Sequence, residues 1–308
     1  MSSLHPENIS GADGGAQPKS RILAGVLLGL TGMSVFSCGD AVTKYLGHAG
    51  VPPIQIMALS GVFSVVAIVF YAVLRGRARY LLPRRWSVEI PRAISFLGLS
   101  FLSIVTFTRF PMTTVYAAIY LSPSLVALIG LFFLKERLNL PQAGLILLGF
   151  AGALLAINPV GLFALQACAF DLGTLIAYPV FFAINMILTR FVRETESSES
   201  IVCFPLLVQT IIILPYALSN WQVIGIGEWA GMIAKGVATG GGFFLVSLAL
   251  SRAPAAVVSP TQYFQIILGS IFGLVLWNVG LYSLQVFGIM IILMSGFWGA
   301  RRAFIASR

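Results

Sequence analysis

Charged residues punctuate an otherwise apolar chain. Between them lie uncharged stretches at 22–39, 45–74, 93–108, 110–134, 138–170, 172–189, 200–227, 236–251 and 253–300. The last is too long for one crossing of a bilayer and breaks at Asn278-Val279-Gly280. Crossing roughly 30 Å of hydrocarbon takes about 20 residues of helix. The pattern therefore predicts ten spans, near 22–46, 54–74, 93–109, 112–134, 140–157, 171–191, 201–218, 229–250, 254–277 and 281–300. The third is the shortest, and the eighth carries an internal Lys235. Residues 1–20 are polar and rich in Gly and Ser, which predicts a disordered cytoplasmic tail; residues 303–308 are expected to be a cytoplasmic C-terminal tail. A cleaved leader is the competing reading of the start, because Lys19 and Arg21 precede an apolar run and Val35-Phe36-Ser37-Cys38 resembles a lipoprotein cleavage site. The length of that run and the spans after it speak against a leader.

Composition agrees with this pattern. Of 308 residues, 58% are hydrophobic and 9% charged, with a mean hydropathy of +0.95. Soluble domains carry about 25% charged residues, so the expected class is an all-α integral membrane protein embedded in a lipid bilayer. A net charge of +9 would suit nucleic acid or anionic lipid as a partner. Topology accounts for it instead. With the N-terminus inside, all of the 19 Lys and Arg except Lys44, Arg109 and Lys235 fall on the cytoplasmic side, as the positive-inside rule requires. Both termini are then cytoplasmic, and no nucleic-acid partner is needed. Trp86, Trp221, Trp229, Trp277 and Trp298 fall at or beyond predicted helix ends, where indole rings prefer the headgroup region. The three cysteines, Cys38, Cys168 and Cys203, are odd in number and lack CxxC spacing, which argues against a disulfide framework or structural zinc.

The two halves resemble one another. Arg109-Phe110-Pro111 parallels Arg252-Ala253-Pro254, Gln142 parallels Gln285, and Thr43-Lys44-Tyr45 parallels Thr189-Arg190-Phe191. Each half has five spans, an odd number, so the second copy enters the membrane from the opposite side. Residues 21–158 and 159–302 are the expected copies. Inverted repeats of this kind mark transporters, with the substrate near the midplane between them.

The segment Leu134-Lys135-Glu136-Arg137-Leu138-Asn139-Leu140-Pro141-Gln142-Ala143-Gly144, after a Pro-initiated helix and before a Gly-punctuated one, resembles the drug/metabolite transporter superfamily, EamA type. In the second copy Asn278 stands at the acidic position and Gly288 at the glycine position, a departure that weakens the second motif. The resemblance covers residues 22–300. It implies ten helices in two five-helix inverted repeats, a bacterial inner-membrane location and export of small metabolites. Among members, the bacterial aromatic amino acid exporters are the nearest likeness.

Asp40 is the only acidic side chain within a predicted span apart from Asp171 at a helix start. A charge at membrane depth needs a partner or water. Lys44 lies one turn on, on the same face. Three readings stand: a structural Asp40–Lys44 pair, a zwitterion site in which Asp40 faces an ammonium and Lys44 a carboxylate, and proton coupling through Asp40. On the fourth helix Thr113, Tyr116, Tyr120 and Ser124 form a polar stripe that Pro123 interrupts, either as packing glue or as a cavity wall. On the ninth, Ser259, Gln262, Tyr263 and Gln265 surround Pro260, and so many polar groups in a span favour a cavity. These two helices are expected to face one another, with Tyr116, Tyr120, Gln262 and Gln265 between them. The sixth helix offers Tyr178 and Asn185 on one face, Asn185 reading mainly as an interhelical hydrogen bond. Lys235 reads as a side chain that snorkels to the outer interface. The pairs Gly25 and Gly29, Gly236 and Gly240, and Gly269 and Gly273 read as small-xxx-small packing; the run Gly240-Gly241-Gly242 could also hinge.

An intramembrane enzyme would need a nucleophile, a base or metal ligands at depth. The histidines are His5, in the tail, and His48, in the first outer loop, and there is no carboxylate cluster, so neither enzyme, metal site nor cofactor is expected. A channel or scaffold remains a third class. No GxxxxGK[ST] loop is present, so transport of a small-molecule substrate is passive or driven by an ion gradient. Amino acids lead as the substrate class, with nucleosides, cations and other drugs as alternatives; oligomeric state stays open.

Overall fold

A computed structural model of the protein describes residues 19–133, 140–158, 168–192 and 195–306. Among these residues the chain is helical, without strands, and runs through ten helices. They are α1 (Lys19–His48), α2 (Pro53–Leu74), α3 (Trp86–Arg109), a broken α4 (Met112–Ile119 and Ser122–Phe133), α5 (Leu140–Ile157), α6 (Ala169–Val192), α7 (Ser198–Ser219), α8 (Ile226–Arg252), a broken α9 (Ala255–Val258, a 3-10 turn Ser259–Tyr263, Phe264–Trp277) and α10 (Ser283–Ala306). Eight are long and apolar enough to cross a bilayer, and shorter apolar helices in α5 and α10 complete the set. The tail 1–18, the motif residues 134–139 and the loop 159–167 lie outside the described residues.

The hydrophobic pattern locates most ends of these helices to within a few residues, with two corrections, of which one is that the tenth runs on to Ala306, into the expected tail. The third begins at Trp86 rather than near 93. Glu89 and Arg92 do not end the span because they neutralise one another inside it. Arg92 donates to Glu89 Oε2 from Nε at 2.9 Å and from Nη2 at 2.7 Å, and Nη2 also donates to the Ile201 carbonyl of α7. Both side chains are almost wholly buried.

The packing crosses between the halves. α1 lies along α8, and α3 along α6, so the first helix of each half packs on the third helix of the other. The like-numbered pairs α2 with α7, α4 with α9 and α5 with α10 also meet. This is the arrangement of an inverted repeat. Close backbone approach underlies it at two crossings. A Cβ on Gly236 of α8 would stand 3.0 Å from the Ser60 carbonyl of α2, and one on Gly288 of α10 would stand 2.6 Å from the Gly152 carbonyl of α5. Lipid supplies no hydrophobic drive between helices, so such contact surfaces hold them together.

The ends of the bundle differ. At one, Gly25 of α1 meets Ala253 between α8 and α9, and the arginine-bearing segment between α2 and α3 meets Glu196 and Glu199 beside α7. This is the basic end. At the other, the Gln55 side chain at the start of α2 donates to the Gln222 carbonyl at 2.9 Å and accepts from its N–H at 3.2 Å. Outward-facing Leu, Ile, Val and Phe cover the sides, among them Phe70, Ile176, Val275 and Phe297, as a lipid-facing surface requires.

Candidate functional site

Helical periodicity sets Ser37, Asp40 and Lys44 on one side of α1, but Lys44 does not pair with Asp40. The Asp40 carboxylate accepts from two other helices. Lys235 Nζ of α8 donates to Oδ1 at 2.9 Å, and the Tyr116 hydroxyl of α4 donates to Oδ2 at 2.9 Å. Ser37 Oγ lies 3.3 Å from the same phenol oxygen. Gly39 faces the Lys235 stem, 3.4 Å from its Cδ at the position a Cβ would take, so α8 can approach closely enough for the ammonium to reach. Asp40 lies eight residues before the end of α1 and Lys235 nine after the start of α8, about 12–14 Å inside the bundle at 1.5 Å per residue. Each of the two side chains retains 14% exposure. The cluster thus lies inside the spanning helices, joins the two halves and keeps some exposure.

Two readings from the sequence are corrected here. The Asp40–Lys44 pair does not form: Lys44 Nζ donates to the Phe110 carbonyl at 2.8 Å and lies 5.5 Å from the Trp277 ring. Phe110 ends α3, and Pro111 after it has no N–H. A cation at that C-terminus satisfies a carbonyl and complements the helix dipole. Lys235 does not snorkel outward; it is the counter-ion of Asp40. Its signal in the sequence was a charge within a span, and nothing local named its partner.

The helix breaks build a second feature. α4 is interrupted at Tyr120 and Leu121, and α9 by its 3-10 turn. The Tyr120 hydroxyl donates to the Gln262 carbonyl inside that turn, and the Tyr120 and Tyr263 rings stack at 4.9 Å between centroids. Beside them is a cavity of about 310 Å³ bounded by α4, α5, α9 and α10, into which Tyr120, Ser124, Ser259, Gln262, Tyr263 and Ser295 bring hydroxyl or amide groups. Among the described residues none that lines it is charged. It occupies the basic half of the bundle, whereas the Asp40 cluster lies in the other.

The residues singled out in sequence therefore separate. Asp40 and Tyr116 meet directly. Tyr120, Ser259, Gln262 and Tyr263 share the cavity. Tyr116 does not border that cavity, because its phenol turns to α1 and its ring lies against Gly269. Gln265 is half-buried and also outside the lining. Tyr178 donates to Ser103 Oγ of α3 at 3.1 Å. Asn185 donates to the Arg92 carbonyl at 3.3 Å, toward the basic end, so it bonds helix to helix away from Asp40. Among the described residues no three His, Cys, Asp or Glu side chains gather to hold a metal.

A model of the EamA-like transporter family matches residues 23–158 and again 172–298. The pseudopaline exporter CntI of Pseudomonas aeruginosa is 25% identical over 88% of this chain and 94% of its own length. The S-adenosylmethionine uptake transporter of Rickettsia conorii is 22% identical over 79% and 80%, and the riboflavin transporter of Vibrio cholerae 23% identical over 80% and 82%. A solved crystal structure, 18% identical, superposes with a TM-score of 0.63 over 91% of this chain and 99% of the other; at that identity the likeness concerns the fold alone.

Proposed function

The chain belongs to the EamA-like transporter family of multi-pass membrane proteins that carry small metabolites, and from that premise we propose that it exports zwitterionic metabolites, amino acids first among them. Export runs by alternating access between the copies 21–158 and 159–302, in a bacterial inner membrane with both chain ends cytoplasmic. The observation that carries this reading is the Asp40–Lys235 pair, an acid and a base at membrane depth, on different halves, each still reachable. A lone charge there costs about 2.5–3.5 kcal/mol on insertion scales. A zwitterion fits the pair without adding net charge: its ammonium takes the place of Lys235 beside Asp40, and its carboxylate takes the place of Asp40 beside Lys235. The site is neutral when empty and when loaded, so the carrier moves no uncompensated charge in either half of its cycle. S-adenosylmethionine, carried by one relative, has such a head group.

The uncharged cavity favours a second reading, a neutral ring-bearing substrate such as a nucleoside held by Tyr120, Tyr263 and Gln262. Riboflavin, carried by another relative, is of that general kind.

Counterflow in proteoliposomes separates the two. On the zwitterion reading, unlabelled amino acids drive uptake of a labelled one, Asp40→Asn and Lys235→Gln each stop it, and nucleosides do not compete. Nucleoside counterflow that survives both substitutions would establish the second reading instead. Orientation has its own check: in a background with Cys38, Cys168 and Cys203 replaced, thiol label added outside whole cells should reach a single cysteine at Ala49 and not one at Ala78.

A further inference from the structure

The segment between α2 and α3 carries Arg75, Arg77, Arg79, Arg84 and Arg85 within eleven residues, and its shape is held from across the repeat. The Glu196 carboxylate, itself buried, accepts the Arg84 N–H at 2.9 Å and the Arg85 N–H at 2.6 Å. The Ser197 hydroxyl donates to the Tyr80 carbonyl at 2.7 Å. These bonds engage main chain only. Glu196 therefore fixes the loop through its main chain, and among the described residues it forms no ion pair with the loop's arginine side chains. Among the described residues Arg77 pairs with Glu199, Arg75 and Arg79 lie against tyrosine rings, and no acidic side chain pairs with Arg79, Arg84 or Arg85. Arg79 and Arg84 border a concavity of about 320 Å³ with Tyr80, Leu82, Glu196 and Ser197. Next to it Leu82 and Trp86 are exposed, Trp86 at the first residue of a spanning helix, which places the concavity at headgroup level.

We propose that this concavity binds the phosphate of an anionic phospholipid, with Arg79 and Arg84 as its cationic walls and Leu82 and Trp86 against the acyl chains. Topological charge bias alone asks only that arginines lie on this side. It does not ask for a loop clamped by its backbone with Arg79 and Arg84 lining a concavity beside an apolar side chain. A free phosphate offers the same anionic oxygens without the chains, so the two sources are distinguishable.

The test uses the purified full chain in detergent and measures bound lipid by native mass spectrometry, with melting temperature alongside. Phosphatidylglycerol is compared with phosphatidylcholine and with inorganic phosphate. The expected result is one retained phosphatidylglycerol and a higher melting temperature, with neither effect from phosphatidylcholine or phosphate. The double variant Arg79→Gln, Arg84→Gln should weaken phosphatidylglycerol binding about thirtyfold, from two arginines near the surface at about 1 kcal/mol each. Equal retention of phosphatidylcholine, an equal response to inorganic phosphate, or unchanged binding by the double variant would each overturn the proposal. The lipid comparison needs no variant, so it stands even if the double variant folds poorly.

Discussion

Two of the acid–base pairs that the membrane-spanning helices carry, Glu89–Arg92 and Asp40–Lys235, differ in almost every respect. Glu89 and Arg92 are one turn apart on α3, 0% and 3% exposed. The arginine spends a further donor on the Ile201 carbonyl of α7, and Asn185 of α6 bonds the carbonyl of the same arginine. Asp40 and Lys235 are on α1 and α8, one from each half of the chain, and each is 14% exposed. The first pair is local, closed and tied into three helices, which makes it a structural fixture that cannot exchange its partners without unpacking them. The second joins the two halves of the chain, which the proposed alternating-access cycle would move relative to one another, and each of its side chains keeps some exposure. An ion pair at membrane depth is thus not informative by its presence. What distinguishes a fixture from a site is whether the pair spans the moving halves and retains access.

Breaking each pair should separate these roles, with the largest effect at the open one. Asp40→Asn is expected to reduce amino acid counterflow at least about thirtyfold, since removing one charge of a partly buried pair costs about 2–5 kcal/mol. The double variant Asp40→Asn, Lys235→Gln should recover expression yet remain inactive, because both substrate contacts are gone; wild-type counterflow by it would remove the pair from the mechanism.

Arg92→Leu leaves Glu89 charged and enclosed, a loss of about 3–5 kcal/mol. Yield and melting temperature should fall, while protein that does fold transports normally per molecule. Replacing both as Glu89→Leu with Arg92→Met should restore stability. If the apolar double variant is stable but inactive, Glu89 and Arg92 belong to the transport path and the contrast between the pairs fails.

Lys44 sharpens the comparison. Lys44→Gln uncovers the Phe110 carbonyl and should destabilise by about 1–3 kcal/mol. A double-mutant cycle should give Asp40 and Lys44 a coupling near zero, and Asp40 and Lys235 one of about 1.5 kcal/mol or more. Larger coupling to Lys44 would reverse the assignment of the counter-ion. The smallest effect is expected from Tyr120→Phe, which loses the bond to the Gln262 carbonyl, about 1 kcal/mol, and keeps the ring stacked on Tyr263. A change in competition by nucleosides, with amino acid counterflow intact, would show that the cavity admits a substrate of its own.

Most of the helix layout was legible in the sequence because apolar runs and charge breaks report on one residue at a time. Even there, α3 was read too short, since Glu89 and Arg92 counted as two stops when their pairing made them compatible with a span. The break in α4 was legible from Pro123, which removes a backbone donor, whereas Pro179, Pro205 and Pro215 lie inside unbroken helices, so proline alone does not locate a break. Asn185 was read as an interhelical bond from residue type alone, but its acceptor on α3 was not readable.

The transfer free energy of each side chain between water and lipid is a property of that residue and its near neighbours. It therefore determined which segments are helices, how many cross, and that Asp40, Lys235 and the polar groups around Pro260 are costly enough to need a purpose. Which charge meets which is a property of two residues and the distance between them. Sequence spacing supplies that distance only within a helix, and there it pointed to Lys44. The crossing of α1 over α8 brings a side chain 195 residues away within 2.9 Å of Asp40, and the crossing of α3 toward α4 gives Lys44 a carbonyl instead. Tertiary packing alone decided those partners, because interhelical separations follow from how the two halves interlock and from no periodicity along the chain.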